Sequence, residues 1–411
     1  MIKQYFKQAT YSIKENKVLS AITISGTALA ICLIMIMVMT YRAKVENYPP
    51  ETKRDRMLYV KWAGYRYKEN GEISGNSSLS LQTAKQCFAG LETTEAVTIT
   101  TRPLLKLIAT MDETEKFKCK VLPADAAFWH VFDFSFLNGK GYTEADVNSG
   151  LKKVVISRTT ARKLFGTIDV SGRQVYLGYV PYTVVGVVKD VSKFADSSHA
   201  DVWIPYTSTY IREYPWADNI SGSYLVKLLA RRPSDFSAIR KEVKKRVEAY
   251  NRQLPEYDLE LYEQPTTRFG DTENLKAEGG DMKRIKRQGI IAILLLLIVP
   301  AVNLSGLALS RMDERKSEIG IRKAFGARRS VLIAQVFMDN FLYTLIGGAA
   351  GFAFSYLLLY LLYRDIFIGP LLSPVVFLIA LFFCLVLNTV SAVIPAWNAS
   401  SSPIVNDLKR S

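Results

Sequence analysis

Residues 289–310 read GIIAILLLLIVPAVNLSGLALS, and residues 314–329 follow almost at once with ERKSEIGIRKAFGARR. The first run carries no charge and exceeds the ~20 residues an α-helix needs to cross ~30 Å of hydrocarbon. The second is charged and helix-compatible. A soluble core gives no reason for such a switch. A chain that leaves a bilayer and must grip something at its face does.

Three further runs have the same character: VLSAITISGTALAICLIMIMVMT (18–40), VFMDNFLYTLIGGAAGFAFSYLLLYLLY (336–363) and LSPVVFLIALFFCLVLNTVSAVIPAW (372–397). Buried helices of soluble cores rarely run this long with so little charge. The expected fold class is therefore an integral membrane protein with four transmembrane α-helices. A large α+β extracytoplasmic domain is inserted between helices 1 and 2. The plan is a tail (1–17), helix 1 (18–40), the external domain with its stalk (41–287) and helix 2 (288–310). A cytoplasmic region (311–335), helix 3 (336–363), a short external loop (364–371), helix 4 (372–397) and a second tail (398–411) complete it. A cleaved leader is the competing reading of the first run. Its apolar part is longer than the ~7–15 residues of a leader, and no small-x-small site closes it before Tyr41 and Arg42.

Basic residues near the runs set the orientation. Lys3, Lys7, Lys14 and Lys17 precede the first. Arg311, Arg315, Lys316, Arg322, Lys323, Arg328 and Arg329 follow the second, and Lys409 and Arg410 end the chain. Between the third and fourth lies only Arg364, balanced by Asp365. Both termini and the 311–335 region are thus expected in the cytoplasm, with the chain multi-pass in a membrane; the resemblance given below makes that a bacterial cytoplasmic membrane. KRIKR (283–287) dissents, but it ends a long segment of the kind that translocates regardless of charge. The net charge of +15 is accounted for by these flanks and a mildly basic external surface, so no nucleic acid is implied.

Catalytic chemistry is hard to find. The two histidines, His130 and His199, have no neighbour at metal-ligand spacing. No GxSxG elbow occurs, and no Gly-x-x-x-x-Gly-Lys-Ser/Thr loop that would wrap phosphates in backbone N–H groups. NGKGY (138–142) is a turn with the wrong spacing. The chain is read as no enzyme, with no metal and no cofactor of its own, and if its work needs energy a partner supplies it; the resemblance given below implies that this partner binds ATP. Of four cysteines, Cys32 and Cys384 fall in the apolar runs, and Cys87 with Cys119 could form a disulfide in the external part.

Within that part, residues 56–62 and 95–101 read as strands. VVISRTTARKLFG runs a strand into a helix capped by Ser157 and closed by Gly166. Residues 173–190 form a hairpin about 178–181. SYLVKLLA, a helix with Phe236, Ile239, Val243 and Val247 on one face, and LELYEQ make a strand–helix–strand unit. The polar stretch 266–287 reads as a stalk, and Trp129 and Trp203 as core. In the spans, Gly347, Gly351 and Ser355 repeat every four residues, a small-residue stripe that admits another helix closely; Ala21 with Ser25 and Gly26 with Ala30 offer the same spacing in helix 1. Pro300 kinks helix 2, and Asn303 needs a partner at membrane depth, in a helix contact rather than a transport path.

As a helix, residues 311–325 are amphipathic, with Glu318 and Arg322 an i,i+4 pair in the favourable order, and Gly326 breaks the helix before a new one starts near Arg328. Here the residues resemble a known family. Asn303, followed by Glu314, Arg315, Glu318, Ile319, Gly320, Ile321, Arg322, Ala324, Gly326 and Ala327, is similar to the pattern of MacB-like, FtsX-type permease subunits of bacterial ABC transporters. LFGTIDVSGRQVYLGYVPYTVVGVVKD (164–190) and PAWNASSSPIVNDLK (395–409) resemble the same family's external domain and C-terminus.

The resemblance implies a homo- or heterodimer, each protomer bound to a cytoplasmic ABC ATPase through the 311–327 helix. Because 17 residues precede the first apolar run, that ATPase is expected on a separate chain. ATP-driven motion would pass through the spans to the external domain, to export or extract a substrate at the outer face. A helix rigidly joined to two spans transmits a displacement that a loop would absorb. The alternative is a membrane-anchored receptor or scaffold whose external domain binds a ligand without transport. A membrane-tethered enzyme is a weaker third reading.

Overall fold

The computed structural model describes residues 17–111, 114–213, 217–273 and 329–362, with isolated positions at 11, 287 and 291 and short stretches between 374 and 386. Internal contacts divide the chain into two units, Met1–Arg42 with Lys283–Ser411, and Ala43–Met282. Among the described residues, two helices are long and apolar enough to cross a membrane, over Ser20–Ala43 and Phe341–Leu361.

The first belongs to α1 (Lys17–Val45), whose 29 residues extend about 43 Å at the usual rise. The external unit then begins with β1 (Met57–Val60), β2 (Ala63–Tyr67), β3 (Ile73–Leu79), α2 (Leu81–Phe88) and β4 (Thr94–Thr101). Next come β5 (Leu104–Ala109), β6 (Lys116–Ala124), α3 (Phe128–Val131), β7 (Phe136–Gly139), α4 (Glu144–Asn148), β8 (Lys153–Ser157) and α5 (Arg158–Phe165). It continues with β9 (Gln174–Leu177), β10 (Val180–Val188), β11 (Val202–Pro205), β12 (Ser221–Gly222) and β13 (Tyr224–Ala230). It ends with α6 (Phe236–Asn251), β14 (Tyr257–Glu260), β15 (Thr266–Thr267) and α7 (Arg268–Glu273). The second long helix is α8 (Arg329–Leu362).

The strands make two connected cores. In one, β6, β5, β9, β10, β8 and β11 pair in turn, and β11 returns to β6 in parallel, Val202 opposite Val121, so the circuit closes into a small barrel. Closure removes the open edges a sheet would otherwise present. Its interior holds Ile108, Cys119, Val175, Leu177, Val184 and Ile204. In the other, β13 lies between β4 and β1, each antiparallel to it, and α2 and α6 pack on the sheet. Ile239, Val243 and Val247 of α6 are buried there, as the helical spacing predicts, and Phe236 is partly buried beside them.

Local signals appear in the structure as the sequence spells them. The Ser157 side chain accepts from the Thr160 amide at the start of α5, and Gly166 ends that helix at φ 70°, in the left-handed region. The β9–β10 hairpin turns through Gly178 (φ 58°) and Tyr179 (φ 68°), two positive φ values in succession that suit the right-handed twist of the strands. Trp203 is fully buried, whereas Trp129 is only partly so, within an aromatic cluster with Phe134, Tyr142 and Trp203.

One expectation changes and one open alternative closes. The 266–287 stalk is not free of the domain at its start: Thr266, Arg268 and Asp271 are buried, because β15 pairs with β1 and α7 packs beside it. Cys87 and Cys119 do not bridge, for they are free thiols in the two different cores, and burial pushes each up to about 12.

Candidate functional site

Asn303 and Glu314, Arg315, Glu318, Ile319, Gly320, Ile321, Arg322, Ala324 and Gly326 lie outside the described residues. Gly347, Gly351 and Ser355 lie inside them, on α8, and two of the three meet α1. A Cβ on Gly347 would sit 2.8 Å from Thr27 Cβ and 3.0 Å from the Ile24 carbonyl oxygen, and one on Gly351 would overlap the Ala28 carbonyl. Ser355 is buried and returns its hydroxyl to the Phe352 carbonyl at 2.7 Å. Gly348, between them, faces Leu381. On α1 the α8 glycines approach Ile24, Thr27 and Ala28, none of them among the four small residues expected there. Thr23, Thr27 and Ala30 are buried, whereas Ala21 and Ser25 are exposed, and Ser25 donates to the Ala21 carbonyl at 2.6 Å.

Further along, Ile31, Met35, Met39 and Leu359 share an apolar cluster, and Ser20 meets the Tyr343 hydroxyl at 2.9 Å in a buried contact. Without a hydrophobic force between helices in lipid, close packing of this kind is what holds spans together. Gly351→Ala should therefore destabilise the α1–α8 pair by about 1–3 kcal/mol through overpacking. Ala350→Leu, on the exposed side of α8, should leave it unchanged. Unfolding in mixed detergent measures both; equal stabilities would remove the close-approach argument.

A second constellation, invisible to motif analysis, lies inside the external unit. Glu51 and Arg54 are fully buried, with Nε 2.6 Å from Oε2. A guanidinium has five N–H donors, and all five of Arg54 are used. Besides Glu51 they reach the carbonyls of Ala43 (2.9 Å), Glu46 (2.8 Å) and Phe194 (2.7 Å) and the Tyr48 hydroxyl (3.0 Å). Ala43 is in the last turn of α1, whose carbonyls lack intrahelical partners and attract a cation. The other oxygen of Glu51 accepts from the Ser198 amide (3.0 Å) and hydroxyl (2.9 Å).

Arg268 repeats the arrangement from the other end of the unit. It donates to Asp271 at 2.8 Å, to Ser197 at 3.3 Å and to Asp196, and its guanidinium lies 5.6 Å from the centre of the Tyr59 ring. Burial works to lower its pKa, and Asp196, Glu51, Tyr59 and Asp271 more than offset this, holding it above the usual value. Burial raises the Asp271 carboxyl, although Lys61, 2.9 Å away, and Arg268 oppose the shift. Lys227, in the middle of β13, is fully enclosed, and its ammonium donates to Thr100. Burial, reinforced by Lys61, pushes its pKa down to about 8 against the pull of Glu51, Asp271 and Asp196.

This network has no nucleophile poised on a base, and among the described residues no His, Cys, Asp or Glu group could hold a metal ion. His130 is exposed, 3.7 Å from Glu95, and His199 gives Nδ1 to the Val191 carbonyl while burial pushes its pKa down. What the network can do is hold backbone segments in one arrangement. The sequence did carry a trace of it: Lys227 interrupts an otherwise apolar strand, and two opposite charges stand at i,i+3 in both 51–54 and 268–271.

Comparison with known proteins gives two family models in chain order. The MacB-like periplasmic core domain matches residues 20–246, and the FtsX-like permease C-terminal model matches residues 290–404. A probable export ATP-binding/permease protein of Pseudomonas fluorescens is 28% identical over 290 residues, 69% of this chain and 42% of its own length. The macrolide export ATP-binding/permease protein MacB of Chromobacterium violaceum is 25% identical over 287 residues, with the same shares. The chain thus spans about two fifths of the length of these relatives.

Among solved structures, the extracellular domain of the noncanonic ABC-type transporter YknZ from Gram-positive bacteria aligns with TM-score 0.36 at 17% identity, over 49% of this chain and 99% of that one. The periplasmic region of MacB from Actinobacillus actinomycetemcomitans aligns with TM-score 0.35 at 14% identity, over 53% and 95%. The core-domain match alone takes in more than half of the 411 residues and the permease match most of the remainder, so the chain belongs to the MacB-like, FtsX-type permease family, membrane proteins with a large periplasmic domain.

Proposed function

We propose that this chain is the membrane-spanning subunit of an ATP-driven export complex in the cytoplasmic membrane, coupled to an ATPase on a separate chain. It works as a homo- or heterodimer and exports or extracts a substrate at the outer face. The observation that carries the reading is the order of the two family matches on one sequence, with the 314–327 motif inside the second. The similar proteins are named as ATP-binding and permease proteins together. This sequence contains no phosphate-wrapping Gly-x-x-x-x-Gly-Lys-Ser/Thr loop, which supports assigning the nucleotide to the ATPase component.

The packing of α1 against α8 supports the four-span arrangement. Contacts advance together along both helices, Ser20 with Tyr343, Thr27 with Gly347 and Ala28 with Gly351, so the two run parallel. Two parallel spans require an odd number of crossings between them, and the apolar run 289–310 supplies one. Parallel spans start on the same side, the basic flanks make that side the cytoplasm on this reading, and the 311–327 segment then faces the ATPase. On this reading Glu314, Arg315, Glu318, Ile319, Gly320, Ile321, Arg322, Ala324 and Gly326 form the ATPase-coupling segment.

The test is co-purification in detergent with the ATPase encoded nearest the gene, wild type beside Gly320→Glu, then ATPase turnover in nanodiscs. Wild type should bind and change turnover, and Gly320→Glu should do neither while inserting and folding normally. A mutant that binds like wild type removes the case for this helix. A wild-type chain that binds no ATPase in any nucleotide state is a receptor or scaffold instead.

A further inference from the structure

Segments that anchor a domain's ends ordinarily do so by burying apolar side chains. In the external unit the ends are anchored by ions. The large side chains buried in the entering segment, 46–56, are Glu51 and Arg54, and those buried among the described side chains of α7, where the described chain leaves, are Arg268 and Asp271. Both pairs fasten on the same short loop. Arg54 takes the Phe194 carbonyl, Arg268 takes Asp196 and Ser197, and Glu51 takes Ser198 by its amide and hydroxyl. The loop is itself tied to the core, because Trp203 Nε1 donates to the Ser198 carbonyl at 3.0 Å.

Buried ion pairs are a poor way to gain stability, since well-packed apolar residues do as well or better; their best-attested use is to specify one register or to switch between two. Their hydrogen bonds are directional and are lost together when a segment shifts, which gives a joint with discrete states rather than a compliant one. We propose that Glu51–Arg54 and Arg268–Asp271 form a reversible clasp on the 194–198 loop that holds the entering and leaving segments of the external unit in one register, so that displacement of either is relayed to the other through that loop. The use of such a relay in ATP-driven coupling rests on the function proposed above; the clasp itself does not.

Hydrogen exchange of the full chain in nanodiscs, without any ATPase, tests it. Asp271→Asn keeps the shape of the side chain and removes the charge that Arg268 and Lys61 hold. Exchange should quicken by about tenfold or more not only in 266–273 but also in 194–199 and 46–56. Peptides of β13 and β4 should keep wild-type protection. Quickening confined to 266–273 overturns the proposal. If Asp271→Asn also loosens the sheet, Ser197→Ala gives the reading instead: spread into both 46–56 and 266–273 supports the clasp, and confinement to 194–199 overturns it. A chain that shows the spread yet binds no ATPase retains the clasp and loses only its role in coupling.

Discussion

Arg54→Met is expected to lower the unfolding free energy of the external unit by about 3–5 kcal/mol, the cost of leaving a buried carboxylate without its counter-ion. Glu51 is fully buried and keeps only the Ser198 amide and hydroxyl as donors once the guanidinium is gone. The carbonyls of Ala43, Glu46 and Phe194 and the Tyr48 hydroxyl oxygen lose this donor at the same time, the Ala43 carbonyl in a buried setting. The substitution thus combines an unpaired charge with lost backbone hydrogen bonds. Two companion variants separate these contributions. Removing both charges, as Glu51→Leu with Arg54→Met, relieves the charge but not the carbonyls, so stability should return only in part. Arg54→Lys keeps the charge but offers three donors where five were used, and should fall between wild type and Arg54→Met. Denaturant unfolding of the full chain in detergent, followed by near-UV circular dichroism, measures all three. An Arg54→Lys chain as stable as wild type would show that charge alone matters and that the five-fold geometry is incidental.

That network was the part of the molecule least legible in the sequence, for a physical reason. Opposite charges at i,i+3 or i,i+4 usually mark a solvated face, where each pair contributes little. Nothing in ETKRD or RFGD distinguishes a surface pair from one enclosed by a distant loop, and the 194–198 loop that encloses both is 140 residues from Arg54. The same non-local character hid the barrel, since its closing pair joins residues near 121 to residues near 202. What could be read in advance was local. Ser157 and Gly166 cap a helix by their own chemistry, the β9–β10 turn falls where Gly178 permits positive φ, and α6 shows its buried face by spacing alone.

The helix pair falls between these cases. A stripe of Gly347 and Gly351 announces close approach from α8, because removing side chains has no other use at that spacing. It says nothing of the receiving face. On α1 the residues that the two glycines approach are Ile24, Thr27 and Ala28, types that are also common in helices with no such contact.

Lys227→Met should move stability in the opposite direction, raising it by about 3 kcal/mol at neutral pH. Burial pushes this lysine down from 10.5 to about 8, and each unit is worth about 1.4 kcal/mol between the two protonation states. Below pH 8 the ammonium is charged in both the folded and the unfolded chain, and the fold carries the full cost of enclosing it. Between about pH 8 and 10.5 the folded chain has released the proton while the unfolded chain still holds it. The unfolded state then binds more protons, so this residue makes stability rise with pH through that window. Cys87 and Cys119 act the other way. Their thiols stay protonated in the fold up to about 12 but ionise from about 9 when unfolded, which lowers stability as pH rises. The measurement must therefore be the difference between wild type and Lys227→Met at each pH. That difference should be about 3 kcal/mol in favour of the variant at pH 7 and shrink toward zero by pH 10.5, the cysteines cancelling because both chains contain them. A constant difference across the range would mean that Lys227 keeps its proton in the fold, so that the three carboxylates nearby neutralise four cations between them. A variant less stable than wild type at pH 7 would show that the ammonium and its bond to Thr100 contribute more than their burial costs.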